Sequence, residues 1–265
     1  MNNSNLARET APDASPNALI EIRDLSKRFG PEQVLSDVNL SVARGDSLVL
    51  IGGSGSGKSL LLKCIVGLVT PTSGSICIDG HDTAAMPARE RRAFERRFGM
   101  LFQRQGLFDS MTVWENVAFR LLQDRDLSRS DARDIADDKI RSVGLGVEVG
   151  DLYPAELSGG MQKRVGFARA IATDPDILFL DEPTAGLDPI MSNVINEIIT
   201  HGVEALGATT ISITSDMVSA RKISNRIAMI DEGHIIWDGP TMDIDESGNP
   251  VVERFIRSNV QIFQN

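Results

Sequence analysis

One segment of the sequence has residue types and spacing that suit phosphate binding. Residues 52–59 read Gly52, Gly53, Ser54, Gly55, Ser56, Gly57, Lys58 and Ser59. The form is G-x-x-x-x-G-K-[ST], in which successive backbone N–H groups surround phosphates at a helix N-terminus. Lys58 would bring a positive charge close to those phosphates, and the Ser59 hydroxyl can bind Mg²⁺. We therefore predict that this loop binds the β- and γ-phosphates of a nucleotide.

An acidic pair follows a short apolar run much later in the chain. Asp181 and Glu182 come directly after Ile177–Leu180, which predicts a position at the carboxyl end of a buried strand, where α/β sheets bind ligands. Asp181 would hold Mg²⁺ directly or through water, and Glu182 would polarise an attacking water as a general base. Alone, such a pair would be unremarkable, but beside a phosphate loop it indicates nucleotide hydrolysis.

The surrounding pattern predicts the elements that position these residues. Residues 47–51 form a short apolar run that leads into the glycine loop, and a helical period follows Lys58. Strand patterns occur at 18–29, 34–40, 74–79 and 98–102, and strand and helix patterns alternate again from residue 176. Helical periods dominate between about 104 and 170, and Ser128 with Asp131 resembles a capping box that would open a polar helix to about Val143. We predict an α/β fold with a mostly parallel sheet and an inserted helical subdomain.

Composition narrows the function classes. The net charge of −10 opposes nucleic-acid wrapping, which needs an excess of Lys and Arg. No run of the sequence approaches the roughly 18 apolar residues of a membrane span, so any work at a membrane would need another polypeptide to cross it. The polar N-terminus lacks the apolar centre of a secretory signal, which favours a cytoplasmic location. Cys64 and Cys77 are expected to be free thiols.

A third motif narrows the hypothesis to one family. Residues 157–162 read Leu157, Ser158, Gly159, Gly160, Met161 and Gln162. By itself this is a good helix start with Ser158 as cap. Placed between the phosphate loop and the acidic pair, it resembles the signature of ABC transporter ATPase subunits. The resemblance implies a P-loop NTPase (RecA-like) core at 18–240 with a helical insert at about 104–170. The polar composition of residues 1–17 predicts a disordered tail, and residues 241–265 are expected to form a C-terminal helix and tail.

The resemblance also implies roles for single residues. Ser158, Gly159 and Gly160 of one subunit would close over ATP held by the phosphate loop of a second copy, so two copies would pair head to tail. Phe29 would stack on the adenine, although a phenylalanine at a strand end can also belong to the core. Gln103 would sense Mg²⁺ and couple the site to a membrane partner. Asp188 would contact the opposite subunit and also cap a helix.

At one position the sequence departs from the family pattern. The family usually reads Thr-His-Asp after the strand at 209–213, and the histidine contacts the γ-phosphate; this chain has Thr214, Ser215 and Asp216. Serine can donate one hydrogen bond but is shorter and carries no charge near neutral pH. We predict slower hydrolysis, by on the order of 10²–10³. Ser215 could be natural in a slow ATPase or a replacement that traps ATP.

Three stretches resemble the Mla-type, MCE-associated lipid-transport ATPases: residues 99–113, 186–198 and 248–256. The resemblance implies a homodimer beneath an MlaE-like permease at the cytoplasmic face of a bacterial inner membrane. It also implies an MCE-domain protein in the same complex, and a small STAS-domain regulator often accompanies such ATPases. Residues 108–114 are expected to form an apolar groove for the permease. The alternatives are an importer ATPase for a polar solute, a hydrolysis-impaired regulatory subunit and a non-transport ABC protein.

Overall fold

The protein is described by a computed structural model that covers residues 17–103, 106–123 and 127–261. Most of the predicted N-terminal tail (residues 1–16), the start of the predicted helical insert (104 and 105) and residues 262–265 lie outside the described residues. The ten strands of the described part are β1 Ala18–Phe29, β2 Glu32–Ala43, β3 Ser47–Ile51, β4 Ser73–Ile78, β5 His81–Asp82, β6 Phe98–Leu101, β7 Ile177–Asp181, β8 Thr209–Ile213, β9 Arg226–Asp231 and β10 His234–Pro240. Its α-helices are α1 Lys58–Ile65, α2 Ala88–Glu95, α3 Val113–Val117, α4 Arg129–Ser142, α5 Gly159–Ala170, α6 Pro189–Leu206, α7 Met217–Ile223 and α8 Pro250–Gln261.

The larger sheet has six strands in the order β10-β9-β3-β8-β7-β6. All neighbouring pairs are parallel except β9 with β10, which form an antiparallel hairpin. The carboxyl ends of β3, β7 and β8 are adjacent, so the residues that follow them meet at one edge. The prediction of a mostly parallel α/β sheet is confirmed, and this edge carries the candidate site.

A second, antiparallel sheet has the order β2-β1-β4-β5. The strand patterns at 18–29, 34–40 and 74–79 were predicted correctly, but the sequence did not separate them from the parallel sheet. Their inward side chains, such as Ile20, Leu35 and Ile76, join one apolar cluster with Leu50 of β3 and Leu61 of α1. This sheet therefore covers the α1 face of the parallel sheet.

Helices cover the opposite face. Val49, Leu101 and Leu180 of the sheet share a cluster with Phe167 of α5 and Ile199 of α6. The helix predicted to begin after Ser128 is confirmed: α4 starts at Arg129, and the Ser128 side chain accepts a hydrogen bond from the Asp131 N–H. Among the described residues no helix is both long and apolar enough to cross a bilayer. The helical region and the sheet edge that carries the candidate site thus share one packed core, to which α5 contributes.

Candidate nucleotide-binding site

The glycine loop links the end of β3 to the start of α1, as predicted. Gly52 and Gly57 have φ values of 146° and 108°, a region that L side chains rarely adopt. A Cβ at Gly52 would overlap the Ile230 carbonyl oxygen, and one at Gly57 would lie 2.7 Å from Cδ2 of Leu35. Close packing and backbone twist therefore both require glycine. The loop ends at a helix N-terminus, which attracts anions.

Lys58 holds a buried charge beside this loop. Its ammonium donates hydrogen bonds to the carbonyl oxygens of Gly52 (2.8 Å) and Gly53 (2.7 Å), and the residue is 9% exposed. Burial lowers the pKa of Lys58, while the nearby carboxylates of Glu182 and Asp181 oppose that shift. The positive charge is therefore fixed at the loop that the sequence predicts as the phosphate site.

Asp181 ends β7 and offers a buried oxygen. Its Oδ1 is buried and has no hydrogen-bond partner among the described residues. Burial raises the pKa of Asp181, and Lys63, Lys163 and Lys58 oppose the increase. An orphaned carboxylate oxygen is costly unless something occupies it, and carboxylate and hydroxyl oxygens suit Mg²⁺. Asp181 and the exposed Ser59 at the start of α1 therefore fit a magnesium ion.

Glu182 has an unusual backbone conformation. Its φ is +48°, a conformation that costs energy for a residue other than glycine. Its N–H donates to the Ile213 carbonyl of β8 (2.9 Å). Burial raises the pKa of its carboxyl group, and hydrogen bonds from Ser215 oppose the increase. A carboxylate with a raised pKa, next to a cation site, is suited to accept a proton from water.

The structure brings Ser215 to Glu182. The Ser215 N–H and hydroxyl lie 3.3 Å and 3.5 Å from Oε2 of Glu182. Both distances are long, and Ser215 is exposed. The next residue, Asp216, caps α7 by accepting hydrogen bonds from the N–H groups of Val218 and Ser219. Ser215 thus directly precedes the capping residue of α7 but is itself held loosely.

The signature residues begin α5 as predicted. The Ser158 hydroxyl accepts a hydrogen bond from the Met161 N–H, and Ser158 and Gly159 are exposed. Gly160 is buried, and a Cβ there would lie 2.7 Å from Cε of Met191. Met191 in turn donates its N–H to Oδ1 of Asp188 (3.0 Å), the predicted cap of α6. The starts of α5 and α6 therefore pack together.

Two further predicted residues lie on the surface. Phe29 ends β1 and is 52% exposed, with the Lys27 ammonium 5.0 Å from its ring centroid. The alternative that Phe29 belongs to the core is therefore wrong, and the ring is free to stack on a base. Gln103 follows β6 and is exposed. Its backbone carbonyl accepts a hydrogen bond from Lys163 (2.9 Å), so it is tied to the signature helix.

The predicted groove at 108–114 needs a correction. Val113 is 0% exposed and Trp114 is 9% exposed, because α3 packs them into the helical core. Phe102 and Phe108 carry the exposed apolar surface instead (40% and 42%). A cavity of about 420 Å³ lies beside β6, the loop that leads to α3, the segment after α3 and the end of α5; its lining includes Met100, Phe102, Phe108, Phe119, Arg120 and Arg169. Of the residues predicted to form the groove, only Phe108 lines this cavity.

Two groups of residues were missed by sequence reasoning. One is Lys163, whose ammonium also contacts the Glu182 carbonyl (3.2 Å). The other is a polar network in which the Ser219 hydroxyl bonds to Thr184, Asn196 and Asp216 (3.2, 2.8 and 2.6 Å). Lys163 was detectable, since Gly160, Lys163 and Phe167 have helical spacing and therefore share one face of α5, which is buried in the structure. The network left no signal, because Thr184, Asn196 and Ser219 are far apart in sequence.

Comparison with known proteins agrees with this geometry. The profile of the family described as "ABC transporter" matches residues 35–185. A Mycobacterium leprae protein named "Probable ribonucleotide transport ATP-binding protein mkl" is 39% identical over 239 residues, which cover 89% of this chain and 68% of that protein. The Caulobacter vibrioides "Methionine import ATP-binding protein MetN" is 39% identical over 90% of this chain and 72% of its own length. The chain thus spans about two thirds to three quarters of these relatives.

Two further similarities concern a plant protein and a solved structure. The Arabidopsis thaliana "Protein TRIGALACTOSYLDIACYLGLYCEROL 3, chloroplastic" is 35% identical over 94% of this chain and 76% of its own length. The ATP-binding cassette MJ0796, solved as a dimer in a post-hydrolysis state with ADP and Pi, superposes with a TM-score of 0.76. That match is 30% identical and covers 84% of this chain and 98% of the cassette. Together with the phosphate loop, the acidic pair and the signature, these matches place the chain in the ABC transporter family, as an ATP-binding subunit.

Proposed function

We propose that the chain hydrolyses ATP as a head-to-tail homodimer that drives phospholipid transport. The convergence of Lys58, Asp181, Glu182 and Ser215 at one sheet edge carries the hydrolytic part of this proposal. The N–H groups of residues 52–59 and the Lys58 ammonium would bind the β- and γ-phosphates. Phe29 would stack on the adenine, since its ring is exposed at the end of β1.

The chemistry follows from the positions of the carboxylates. The oxygen of a water molecule would attack the γ-phosphorus, and the bond to the bridging β–γ oxygen would break to give ADP and phosphate. Glu182 would accept the proton of that water. Ser59, Gln103 and Asp181 would hold Mg²⁺, which neutralises charge on the phosphates. In place of the usual histidine, Ser215 would donate one hydrogen bond to the γ-phosphate. Because serine carries no positive charge, we expect slow hydrolysis of ATP.

The exposed signature supports the dimer. Ser158 and Gly159 present a helix N-terminus to solvent, and Asp188 lies at the start of the neighbouring helix α6. A second copy would bring its bound ATP against these groups, so that ATP joins the two chains. The MJ0796 cassette, which the chain resembles over most of its length, was solved as a dimer.

The groove between β6 and α3 supports a membrane partner. Asn116, which is fully buried, donates to the carbonyl oxygens of Phe108, Met111 and Thr112 and so fixes the loop that carries Phe108. A rigid apolar surface next to Gln103 suits docking of a helix from another protein. We propose that an MlaE-like permease of the inner membrane docks here from its cytoplasmic side. The MCE-domain protein and the STAS-domain regulator rest on the sequence resemblance alone.

The proposed cargo is a phospholipid. The three Mla-like stretches support it, and the relative whose name contains a galactolipid, trigalactosyldiacylglycerol, supports a lipid cargo in general. The competing candidate is import of a polar solute; the names of the MetN and mkl relatives, which print methionine import and ribonucleotide transport, favour it. Both candidates share the same ATP chemistry and differ only in the partner at the groove.

One reconstitution tests the proposal and separates the candidates. The chain would be purified with the permease encoded beside it and placed in liposomes that contain a fluorescent phospholipid. We expect ATP-dependent phospholipid transfer that is lost in Glu182→Gln. Uptake of a radiolabelled amino acid without lipid transfer would replace the phospholipid hypothesis by the importer alternative. Absence of ATP hydrolysis in the complete complex would overturn the enzymatic part.

A further inference from the structure

A buried ammonium lies where the signature helix meets the catalytic edge. Lys163 is the fifth residue of α5 and is 2% exposed. It donates hydrogen bonds to the carbonyl oxygens of Gln103 (2.9 Å) and Glu182 (3.2 Å). One side chain thus connects three segments: the start of α5, the segment that follows β6 and the residue after β7.

Burying the charge of Lys163 costs free energy, so the presence of lysine here needs a physical explanation. Burial lowers the pKa of Lys163, and only the more distant charges of Glu182 and Asp181 oppose that shift. No carboxylate forms an ion pair with it among the residues that the structure describes. A methionine would fill a similar volume without desolvating a charge. Packing alone therefore does not account for lysine, whereas its two carbonyl partners do.

Both hydrogen-bond partners of Lys163 are backbone carbonyl groups of residues for which a function is proposed. Gln103 adjoins the groove proposed for the permease, and Glu182 is the proposed general base. Ser158 lies five residues before Lys163, roughly 7.5 Å along the helix axis. In a head-to-tail dimer, Ser158 would face the nucleotide of the second chain, while Glu182 would serve the nucleotide of its own chain. Lys163 thus stands between elements of two different ATP sites.

We propose that Lys163 is a positioning residue that fixes the backbones of Gln103 and Glu182 to the signature helix. This inference rests on the proposed function, because it assumes that the signature and the acidic pair belong to ATP sites. A movement of the permease that displaces the Gln103 segment would then also displace Glu182 and the signature helix. The hydrogen bonds to two carbonyl groups, rather than the charge in general, perform this task.

The matched variants are Lys163→Met and Lys63→Met. Both remove one positive charge that acts on Asp181, but Lys63 is exposed on α1. We would measure amide hydrogen exchange on the full chain, ATP affinity with a fluorescent analogue, and kcat in the complex with its permease. Lys163→Arg serves as the conservative variant that keeps the donor groups.

In Lys163→Met we expect exchange to rise about tenfold at residues 101–103 and 182–187, with the phosphate loop unchanged. The kcat should fall about 10- to 100-fold, because a displacement near 1 Å at a catalytic group has effects of this size. ATP affinity should stay within about threefold, since Lys163 does not contact residues 52–59. Lys163→Arg should recover part of the rate, and Lys63→Met should behave like the unchanged chain.

Two results would overturn the inference. One is equal exchange and equal kcat in Lys163→Met and Lys63→Met. The other is faster exchange throughout α5 with a lower Tm, which indicates a packing role only. If the unchanged complex hydrolyses no ATP, the proposed function fails, yet the local exchange difference still decides whether Lys163 holds the two segments.

Discussion

The two sides of the phosphate site differ in how firmly they are held. On the loop side, Lys58 is 9% exposed and bonds to two carbonyl oxygens at 2.8 and 2.7 Å. On the other side, Ser215 is exposed and reaches Glu182 only at 3.3 and 3.5 Å. Under the proposed function, phosphate would bind to a preformed half of the site, whereas hydrolysis would depend on a half in which Ser215 is held loosely.

The first test of this difference is Glu182→Gln, which should have the largest effect. The amide keeps the size of the side chain but cannot accept a proton from water, so kcat should fall by on the order of 10³. ATP affinity should change little, because the loop side is intact. Steady-state ATPase and equilibrium binding of the same preparation would check this. If ATP affinity fell as much as kcat, the two sides of the site would not act separately.

Lys58→Ala should produce the opposite pattern. Loss of a charge-assisted contact to phosphate is expected to weaken ATP binding about 10- to 100-fold. Lys63→Ala is the matched control, since Lys63 is a neighbouring but exposed lysine of α1. Titration with a fluorescent ATP analogue would measure both. Equal affinity for Lys58→Ala and the control would contradict the preformed binding half.

Ser215→His should strengthen the loose side. A longer side chain can reach the γ-phosphate, so kcat should rise about 10- to 100-fold if serine limits the rate. Ser215→Ala provides the comparison, because it removes the hydroxyl without adding reach. If Ser215→His leaves kcat unchanged while Ser215→Ala lowers it, the serine hydroxyl already supplies the contact, and the predicted catalytic defect is wrong.

Ser219→Ala tests whether the buried network supports the Ser215 segment. The variant removes the hydroxyl that joins Thr184, Asn196 and Asp216. Leaving buried partners unsatisfied should cost about 1–2 kcal/mol of unfolding free energy, and kcat should fall more than ATP affinity. Chemical denaturation with Ser258→Ala, an exposed serine of α8, as control would measure the cost. If the free energy of unfolding did not change, the network would not support the Ser215 segment.

The smallest effect is expected for Phe29→Ala. Loss of stacking on the adenine from an exposed ring should cost about 1 kcal/mol, roughly a fivefold weaker affinity for ATP. Inorganic triphosphate, which has no base, should bind the variant and the unchanged chain equally. Leu68→Ala, another exposed apolar residue (63%), is the control. Weaker triphosphate binding in Phe29→Ala would place the effect at the loop rather than at the base.

Local signals predicted most of the fold and the position of the glycine loop. The loop at 52–59, the caps Ser128, Ser158 and Asp188, and the positions of most strands depend on neighbours in sequence, and they appear where the pattern put them. Other features depend on contacts between distant segments. The separate antiparallel sheet, the burial of Trp114 and the Ser219 network are set by tertiary packing, which a single sequence does not encode locally.

The contact between Gly160 and Met191 joins two helices through the end of a flexible side chain. A methyl group added at residue 160 would lie 2.7 Å from Cε of Met191, so the Met191 side chain would have to move. Because methionine is unbranched and changes rotamer at small cost, we expect Gly160→Ala to fold with little loss of stability. Gly52 has no such freedom, since the obstructing atom there is the backbone carbonyl oxygen of Ile230. The packing of the signature helix is therefore adjustable at a point where the packing of the phosphate loop is not.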